Sequence, residues 1–405
     1  MSEIQIEFIP AISLIPAQEW NQLMATGSDE GASVNPFVRH EYLAALESSG
    51  CVCTKTGWTP MHLTVLQGEK RLAVMPLYEK THSYGEYVFD WAWAEAYERN
   101  SVDYYPKLLC AIPFTPVTGA RVGMAKSLTQ SEVALVWSKI AEHFSEMLQK
   151  SGYSSWHALF LTKPECDMFS KQNALSRVGT QFHWMNKGYQ SFEDYLAAMH
   201  SRKRKDIRKE RYRVAQHGLT MRFVDGGEVT DEQWLAFTHC YQMTYAKRSG
   251  HYGYLNLSFF KSLAQSMPQQ IKLLLVETNE GDGGADYEDK LGQRIIASAL
   301  YFCSDTHLYG RYWGALETID GLHFEVCYYQ GIEYCIAQGL QTFDAGAQGE
   351  HKVPRGFEPV AIYSNHDIAH PAFRDAIEHF THQERTQISC YMKEMSQSLP
   401  FKSSD

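Results

Sequence analysis

The pattern of apolar and polar positions is most informative in the last third of the chain. Apolar and aromatic runs of strand length occupy residues 293–303 and 307–315, with a short polar turn between them. Helical spacing follows over residues 322–340, and a glycine near the end of this segment suits a C-terminal cap. A short run at 342–344 precedes a loop of small and charged residues at 345–358. The pattern predicts a β-hairpin, a helix and a returning strand, in that order.

The first half of the chain shows a comparable order of elements. Residues 61–66 and 72–78 predict a β-hairpin, and the ring-rich segment 82–93 predicts a third strand. Helical spacing over about 131–150 and an apolar run at about 155–161 complete this half.

The second half begins with helical patterns at about 191–217 and 231–247, and a strand at 271–277 then leads into the hairpin. The order of elements in the two halves is similar, although no residue-level repeat is visible. The pattern therefore predicts an α/β (α+β) protein with domains at residues 1–188 and 189–405, each a mixed central sheet flanked by helices.

The composition suits packed cores and limits the partners. Hydrophobic residues make up 44% of the 405 positions and aromatic residues 13%, so global disorder is excluded. The formal net charge of −10 argues against wholesale binding to DNA, RNA or an anionic membrane, and leaves only local patches for such contacts. Segment 278–292 is rich in glycine and acids, and we expect a solvated hairpin loop there.

The cysteines and the N-terminus bear on the cellular compartment. The nine cysteines show no CxxC pair and no Cys/His ligand spacing, so we expect reduced thiols and no metal site. The first ten residues lack the basic region and apolar core of a signal peptide. No apolar run approaches the roughly 20 residues that span a bilayer. These features predict a soluble, cytoplasmic protein without a transmembrane segment.

A basic helix is the first candidate for chemistry. Residues 201–213 hold eight lysines and arginines against two acids, in a chain that is acidic overall. Such an excess favours binding of phosphates, whether of a diphosphate, a coenzyme A tail or an RNA backbone. The alternative is a solvated helix in which Asp206 and Glu210 pair locally. The expected anion-binding residues are Arg202, Lys203, Arg204, Lys205 and Arg208.

The helix after the hairpin carries an acid on its apolar face. Glu325, Tyr329, Ile332 and Ile336 are spaced so that they share one side of an α-helix. An acid at the rim of a core can accept a proton from an amine nucleophile, which makes Glu325 a candidate general base. The alternative is an acid in the first turn that is favoured by the helix dipole alone.

The loop at 345–358 combines several kinds of side chain. Asp344 ends a strand at the edge where open α/β sheets bind ligands. Gly346 and Gly349 allow close approach of the backbone to a ligand, and Lys352 and Arg355 can hold a carboxylate or phosphate. The alternative is an ordinary surface loop with an Asx turn. The other candidate ligand contacts in this loop are Gln348, Glu350 and His351.

Two acids in the first half stand among aromatic residues. Glu86 and Asp90 lie within the ring-rich segment 82–93, and they are candidates to line a cleft. The competing interpretation is that this segment is an aromatic core strand.

Several segments together resemble the Fem-like group of N-acyltransferases, which are relatives of the Fem peptidoglycan aminoacyltransferases within the GNAT superfamily. The segments include NPFVRHEYLAALE (35–47), HSYGEYVFDWAWAEAY (82–97), TYAKRSGHYGYLN (244–256) and FDAGAQGEHKVPRGFEP (343–359). The resemblance implies two GNAT-like domains. It also implies transfer of an acyl or aminoacyl group onto an amine, with a peptidoglycan-precursor-like molecule as one acceptor.

The resemblance and the motifs suggest a reaction between two parting strands. An activated ester or thioester would lie between residues 307–313 and 341–345, where a backbone N–H would stabilise the oxyanion. The expected catalytic residues are Glu325, Asp344 and Tyr309. The expected substrate contacts are Arg311, His323, Tyr329, Gln348, His351, Lys352, Arg355, Lys247, Arg248, Glu86 and Asp90.

More than one interpretation is open for the co-substrate and for the class of reaction. The donor is acyl-CoA or aminoacyl-tRNA, with no tightly bound cofactor, and tRNA is a partner only in the second case. An ordinary acetyl-CoA-dependent N-acetyltransferase would carry a complete phosphate loop, which residues 311–314 begin, but Leu316 stands where a small residue is expected. A non-catalytic module that recognises peptidoglycan-type ligands is the alternative from a different class.

Overall fold

The computed structural model describes residues 3–25, 35–278, 294–347 and 349–402. The chain forms two compact units, of which the first contains residues 1–180 and 361–391 and the second contains residues 181–360 and 392–405. The elements up to residue 171 are β1 (Ile4–Ile9), α1 (Ala17–Met24), α2 (His40–Ser48), β2 (Trp58–Pro60), β3 (His62–Gln67), β4 (Lys70–Met75), β5 (Tyr78–Lys80), α3 (Trp91–Arg99), β6 (Lys107–Cys110), β7 (Gly123–Met124), α4 (Gln130–Lys150), β8 (Ser155–Leu161) and α5 (Lys163–Lys171).

The later elements complete both units. They are β9 (Leu175–Met185), α6 (Phe192–Ala197), α7 (Ser201–Ala215), β10 (Thr220–Asp225), α8 (Asp231–Ser249), α9 (Leu257–Ser266), β11 (Ile271–Thr278), β12 (Arg294–Cys303), β13 (His307–Ala315), α10 (Leu322–Phe324), α11 (Gln330–Gln338), β14 (Thr342–Asp344), β15 (Phe357–Ile368) and α12 (Pro371–Gln397). A π-helical turn, Glu325–Tyr329, joins α10 to α11.

The first unit contains an antiparallel sheet in the order β1-β3-β4-β7 and a second set of strands in which β8 pairs parallel to β6. Its core follows from the spacing of α4. Val136, Ile140, Phe144 and Leu148 recur every four residues, so they share one helix face, and they pack in one apolar cluster with Trp156 of β8. This burial anchors the helix to the strands.

The first unit also takes in a late part of the chain. Residues 363–368 of β15 pair antiparallel with β8, and Ile377 of α12 packs with Trp93 and Tyr97. The predicted division at 188/189 placed this segment in the second domain. The difference arises because strand pairing and packing over long sequence separations leave no signature in the local pattern.

In the second unit, β10, β11, β12 and β13 form an antiparallel series, and β13 then pairs parallel to β14. The predicted hairpin, helix and returning strand are therefore confirmed. The helix between them is less regular than predicted, because the π-turn interrupts it. The predicted loop at 278–292 lies outside the described residues, except for Thr278 at the end of β11.

Two further predictions about elements are wrong. The segment 82–93 is not a strand, because Gly85 and Tyr87 adopt positive φ angles of 81° and 64° and α3 begins at Trp91. The single helix predicted at 191–217 is instead α6 followed by α7. The break occurs at Met199, which forms a β-bridge with Phe401. None of the helices that the structure describes is long and apolar enough to cross a membrane.

Helix α8 packs directly on β13 at a glycine. A Cβ atom built on Gly314 would lie 1.9 Å from the carbonyl oxygen of Cys240 in α8. The helix backbone therefore leaves no room for a side chain at this position.

We expect Gly314→Ala to lower the free energy of unfolding by about 1 to 3 kcal/mol, because the helix must shift away from the strand. Gly310→Ala on the same strand is the matched control, since its Cβ would lie 3.4 Å from the side chains of Phe343 and Tyr301, an ordinary contact distance. Urea unfolding of both variants measures the difference. Equal midpoints for the two variants would contradict the prediction.

Candidate functional site

The candidate functional site lies where β13 and β14 separate. The two strands pair in parallel from His307 opposite Thr342 to Tyr309 opposite Asp344, and β14 ends there while β13 continues to Ala315. A β-bulge follows at once, since Tyr301 faces Gly310 and Leu300 faces Tyr312. Arg311 is therefore the extra residue of the bulge, and β13 changes direction just beyond its last pair with β14.

A buried ion pair closes the base of this opening. Arg311 and Asp344 have side chains that are 1% and 2% exposed, and Arg311 Nη1 lies 3.2 Å from Asp344 Oδ1. The backbone N–H of Gly346 donates to the same oxygen at 2.9 Å. Against the effect of burial, the Arg311 guanidinium holds the pKa of Asp344 well below its usual value. Asp344 is therefore a permanent counter-ion, and the geometry does not favour it as a general base.

Glu325 is also engaged by an arginine. Its carboxylate accepts hydrogen bonds from Arg211 Nη2 at 2.8 Å and from Arg211 Nε at 3.0 Å. Gln330 donates to the same carboxylate at 2.8 Å, and Arg211 also contacts Glu333 at 2.9 Å. Both oxygens of Glu325 are therefore occupied, so its expected role as a free base is not favoured. Its contacts tie the π-turn to α7.

Tyr328 of the π-turn forms a cluster with two histidines, His323 and His351. Tyr328 Oη lies 2.6 Å from His351 Nε2 and 3.5 Å from His323 Nε2. Burial lowers the pKa of His323 to about 4, and the guanidinium of Arg248 acts in the same direction. Burial and three neighbouring cations also lower the pKa of His351. Both rings are therefore neutral near pH 7 and can accept a proton.

Tyr328 is the functional candidate that sequence reasoning missed. It is buried, and burial raises the pKa of its hydroxyl well above the usual value, so the group stays protonated. It lies five residues after His323, a spacing that an α-helix does not bring to one face. The π-turn at 325–329 does so, and such turns are frequent at functional sites. A regular helical pattern gave no signal for this register.

Other predicted contacts lie around this cluster. His323 packs against Trp313 of β13, with ring centroids 4.9 Å apart. The Lys352 ammonium is buried and donates to the carbonyl of Gly346. Burial lowers the pKa of Lys352 to about 8, although Asp344 opposes the shift. The strand edge and the histidine cluster therefore share one region of the second unit.

The remaining predicted contacts are Lys247 and Arg248, near the end of α8, and Tyr309 in β13. Arg248 acts electrostatically on both His323 and His351, so it belongs with the cluster. Lys247 is exposed, and its charge opposes the rise that burial causes in the pKa of Cys240. Tyr309 is buried beside Asp344, and burial raises the pKa of its hydroxyl, so it can donate a hydrogen bond but not act as a base.

Arg355 and Tyr329 form a second polar group with α7. Arg355 Nη2 lies 2.8 and 2.9 Å from the carboxylate oxygens of Glu210, and its Nε lies 2.9 Å from Tyr329 Oη. The guanidinium also stacks 3.6 Å above the centroid of Phe324. These contacts use the Arg355 donors within the protein, so Arg355 shapes the site more than it offers free hydrogen bonds.

The predicted anion-binding residues divide along α7. Arg208 pairs with Glu193, and Arg204 donates to the carbonyl of Ala197 at 3.4 Å. Arg202 and Lys205 are exposed, whereas Lys203 is half-buried. The helix therefore presents its cations on different sides.

Glu86 and Asp90 lie inside the first unit. Lys107 Nζ, which is fully buried, donates to Glu86 Oε2 at 2.8 Å and also contacts Asp90 Oδ2. Tyr104 Oη donates to Asp90 at 2.7 Å. Burial raises the pKa of Glu86 to about 7, whereas Lys107 lowers that of Asp90 to about 2 against the effect of burial. Their partners are internal, so the geometry does not favour the predicted contact with substrate.

Two expectations remain, one for Gln348 and one for metal binding. Gln348 lies outside the described residues. Within the described ranges, no cluster of three or more histidine, cysteine, aspartate or glutamate side chains is arranged to hold a metal ion.

The strand order, the bulge and the parting strands define a protein with two GNAT-like domains. A family model described as FemAB-like, for peptidoglycan biosynthesis and recognition, matches residues 11–403, and the chain belongs to this family. No curated protein matches the chain.

Three solved structures are similar to this chain at low sequence identity. FemX has a TM-score of 0.50 and 11% identity, and the match covers 90% of this chain and 98% of FemX. The C-terminal domain of a protein described as a lysylphosphatidylglycerol synthetase from Agrobacterium fabrum has a TM-score of 0.51 and 9% identity, covering 92% of this chain and 97% of that one. A tandem GNAT protein from the clavulanic acid pathway has a TM-score of 0.47 and 8% identity, covering 91% and 99%. At these identities the likeness to FemX and to the synthetase domain shows the fold alone.

Proposed function

We propose that the protein is an N-acyltransferase that moves an acyl or aminoacyl group from an activated donor onto an amine acceptor of peptidoglycan-precursor type. The observation that carries this proposal is the position of the Tyr328–His351–His323 cluster beside the parting of β13 and β14. The membership of the FemAB-like family supports a peptidoglycan-type acceptor. The name of the lysylphosphatidylglycerol synthetase supports an aminoacyl donor, and acyl-CoA is the alternative.

The donor carbonyl would lie against the edge of β13 beyond Tyr309, where a backbone N–H stabilises the oxyanion. The amine nitrogen attacks this carbonyl, the new C–N bond forms, and the ester or thioester bond of the donor breaks. His351 is exposed and neutral, so it accepts the proton that the amine loses. Tyr328 returns a proton to the leaving oxygen or sulfur and is reprotonated by His351. Arg248 and Lys352 add positive charge near the developing anion.

We expect His351→Gln and Tyr328→Phe each to lower kcat by about 100-fold or more, with a small change in KM, because proton transfer contributes about 10² to 10⁴ to the rate. Transfer from acetyl-CoA and from aminoacyl-tRNA to a panel of amines measures the effect. His217→Gln is the matched control, because His217 is exposed after α7. Turnover within twofold of wild type in both site variants would remove the cluster from the mechanism.

The donor is tested first by thermal unfolding with and without acetyl-CoA, with adenosine diphosphate as control. A ligand at 100 times its Kd stabilises the folded protein by about 2.7 kcal/mol. A shift specific to the thioester supports acyl-CoA as donor. Its absence directs the search to aminoacyl-tRNA.

One observation favours a second candidate, a non-catalytic module that recognises peptidoglycan-type ligands. Both carboxylates expected to act as bases, Glu325 and Asp344, are engaged by arginines. Binding of a peptidoglycan precursor with no product from either donor class would establish this candidate over the transferase.

A further inference from the structure

A cavity of about 290 Å³ lies along one side of the basic helix α7 in the second unit. Its wall on the other side comes from the π-turn and from Pro354 and Arg355 of the 3₁₀ turn Glu350–Arg355. Each molecule of liquid water occupies about 30 Å³. The cavity therefore has room for a group larger than one carboxylate. It is open to a group with several polar atoms.

The charges that line this cavity do not balance. Four cations, Lys203, Lys209, Arg213 and Arg355, face the carboxylates of Asp206 and Glu210. Glu210 is already bound by Arg355 at 2.8 Å, so it does not neutralise the lysines.

The two lysines are the available donors. In the part of the chain that the structure describes, Lys203 and Lys209 form no ion pair, although Asp206 lies between them on the helix. Arg213 contacts Asp320 at 3.2 Å, and both of these side chains are more than half exposed, which makes the pair weak. An anion in the cavity would therefore contact ammonium groups that are not paired with a carboxylate.

We propose that this cavity binds a phosphate or diphosphate group of one of the two substrates. The inference rests on the proposed transferase function. A lysine ammonium is a point charge suited to phosphate oxygens, and two of them match a group with more than one charged oxygen.

The cavity is connected to the catalytic region through shared elements. Tyr329, on the cavity wall, follows Tyr328 in the same π-turn. Arg355, also on the wall, donates to the carbonyl of His351 at 2.6 Å. A substrate held here by its phosphates would extend along the π-turn toward the parting strands. Of the five predicted anion-binding residues, only Lys203 lines this cavity.

The test uses inorganic diphosphate as the probe and calorimetric titration of the full chain. The double variant Lys203→Gln/Lys209→Gln removes the two free ammonium groups of the cavity. The matched control, Arg202→Gln/Lys205→Gln, removes two charges of the same helix that do not line it. All four positions are exposed or half-buried, so all variants are expected to fold, and the midpoint of thermal unfolding checks this.

We expect the cavity variant to bind diphosphate at least about tenfold more weakly, and the control by less than about twofold. Equal weakening in both variants would show diffuse attraction by the whole helix and would overturn the site. No binding to the wild type, or no difference between wild type and cavity variant, would overturn it as well.

Competition then identifies which substrate brings the phosphates. Displacement of diphosphate by coenzyme A, but not by uridine diphosphate, assigns the cavity to the donor, and the opposite result assigns it to the acceptor. These measurements need no turnover. Diphosphate binding without acyl transfer would therefore refute the transferase and leave the anion site standing, whereas transfer without diphosphate binding would do the reverse.

Discussion

Asp344→Asn is expected to destabilise the second unit by about 3 to 5 kcal/mol, because it leaves the Arg311 guanidinium buried without its counter-charge. The two side chains are 1% and 2% exposed, so water cannot replace the lost carboxylate. Arg311 holds the pKa of Asp344 below its ordinary value. The contribution of Asp344 to stability is therefore fully present above about pH 4 and is lost as the pH falls further.

Urea unfolding at pH 7 measures this loss of stability, and two further variants serve as comparisons. Asp225→Asn breaks a pair with Lys272 in the same unit, and its carboxylate is 60% exposed, so we expect a change below about 1 kcal/mol. The double variant Arg311→Met/Asp344→Leu removes both charges and should recover much of the stability. A loss below 1 kcal/mol for Asp344→Asn would show that the ion pair is not as buried as described.

Lys107→Met is expected to lower the stability of the first unit by a similar amount, about 3 to 5 kcal/mol. The change leaves the buried Asp90 carboxylate without its cation, and it leaves Glu86 with only Lys80, 3.9 Å away. Lys107 is fully buried and donates to Ser83 and Glu86 at 2.8 Å, besides its contact with Asp90. Against the effect of burial, these two carboxylates raise the pKa of Lys107. Its contribution is therefore present below its unfolded pKa of about 10.4 and is lost as the pH rises through the folded value.

The control for this change is Lys163→Met, which breaks an exposed helical pair with Asp167 in the same unit. We expect the control to leave the urea midpoint nearly unchanged, because exposed ion pairs contribute little to stability. The double variant Lys107→Met/Asp90→Asn should be more stable than Lys107→Met alone, because it removes the carboxylate left unpaired. If both lysine variants unfolded at the same urea concentration, the buried network would have no special weight in the stability of the unit.

The local pattern was sufficient to predict the hairpin β12–β13, the helical segment after it and β14. These elements are contiguous in sequence. The continuous apolar run of β12 reflects burial on both faces of the strand, since residues 295–302 are all buried, whereas helical spacing reflects one helix face that enters a core. The same reasoning failed at 82–93. There the apolar rings suggested a strand, but Gly85 and Tyr87 adopt backbone conformations that a strand does not allow.

The candidate site was predicted in part. His323, His351, Lys352 and Arg248 were expected to contact substrate, and the structure brings them together. Tyr328 was missed because its alignment with His323 depends on the π-turn. The arginine partners of Glu325 and Asp344, the two expected bases, were not visible in sequence. Arg211 lies 114 positions before Glu325, and Arg311 lies 33 positions before Asp344.

The sequence by itself determined the class of fold, the family resemblance and the segments that carry the site, because each rests on residues that are close together along the chain. Only the tertiary structure decided which charges are paired, which histidines are neutral and which face of α7 is free. Those properties depend on burial and on partners distant in sequence, since the desolvation of a group and the field of its neighbours set its charge. The return of residues 361–391 to the first unit was decided in the same way, by strand pairing with β8.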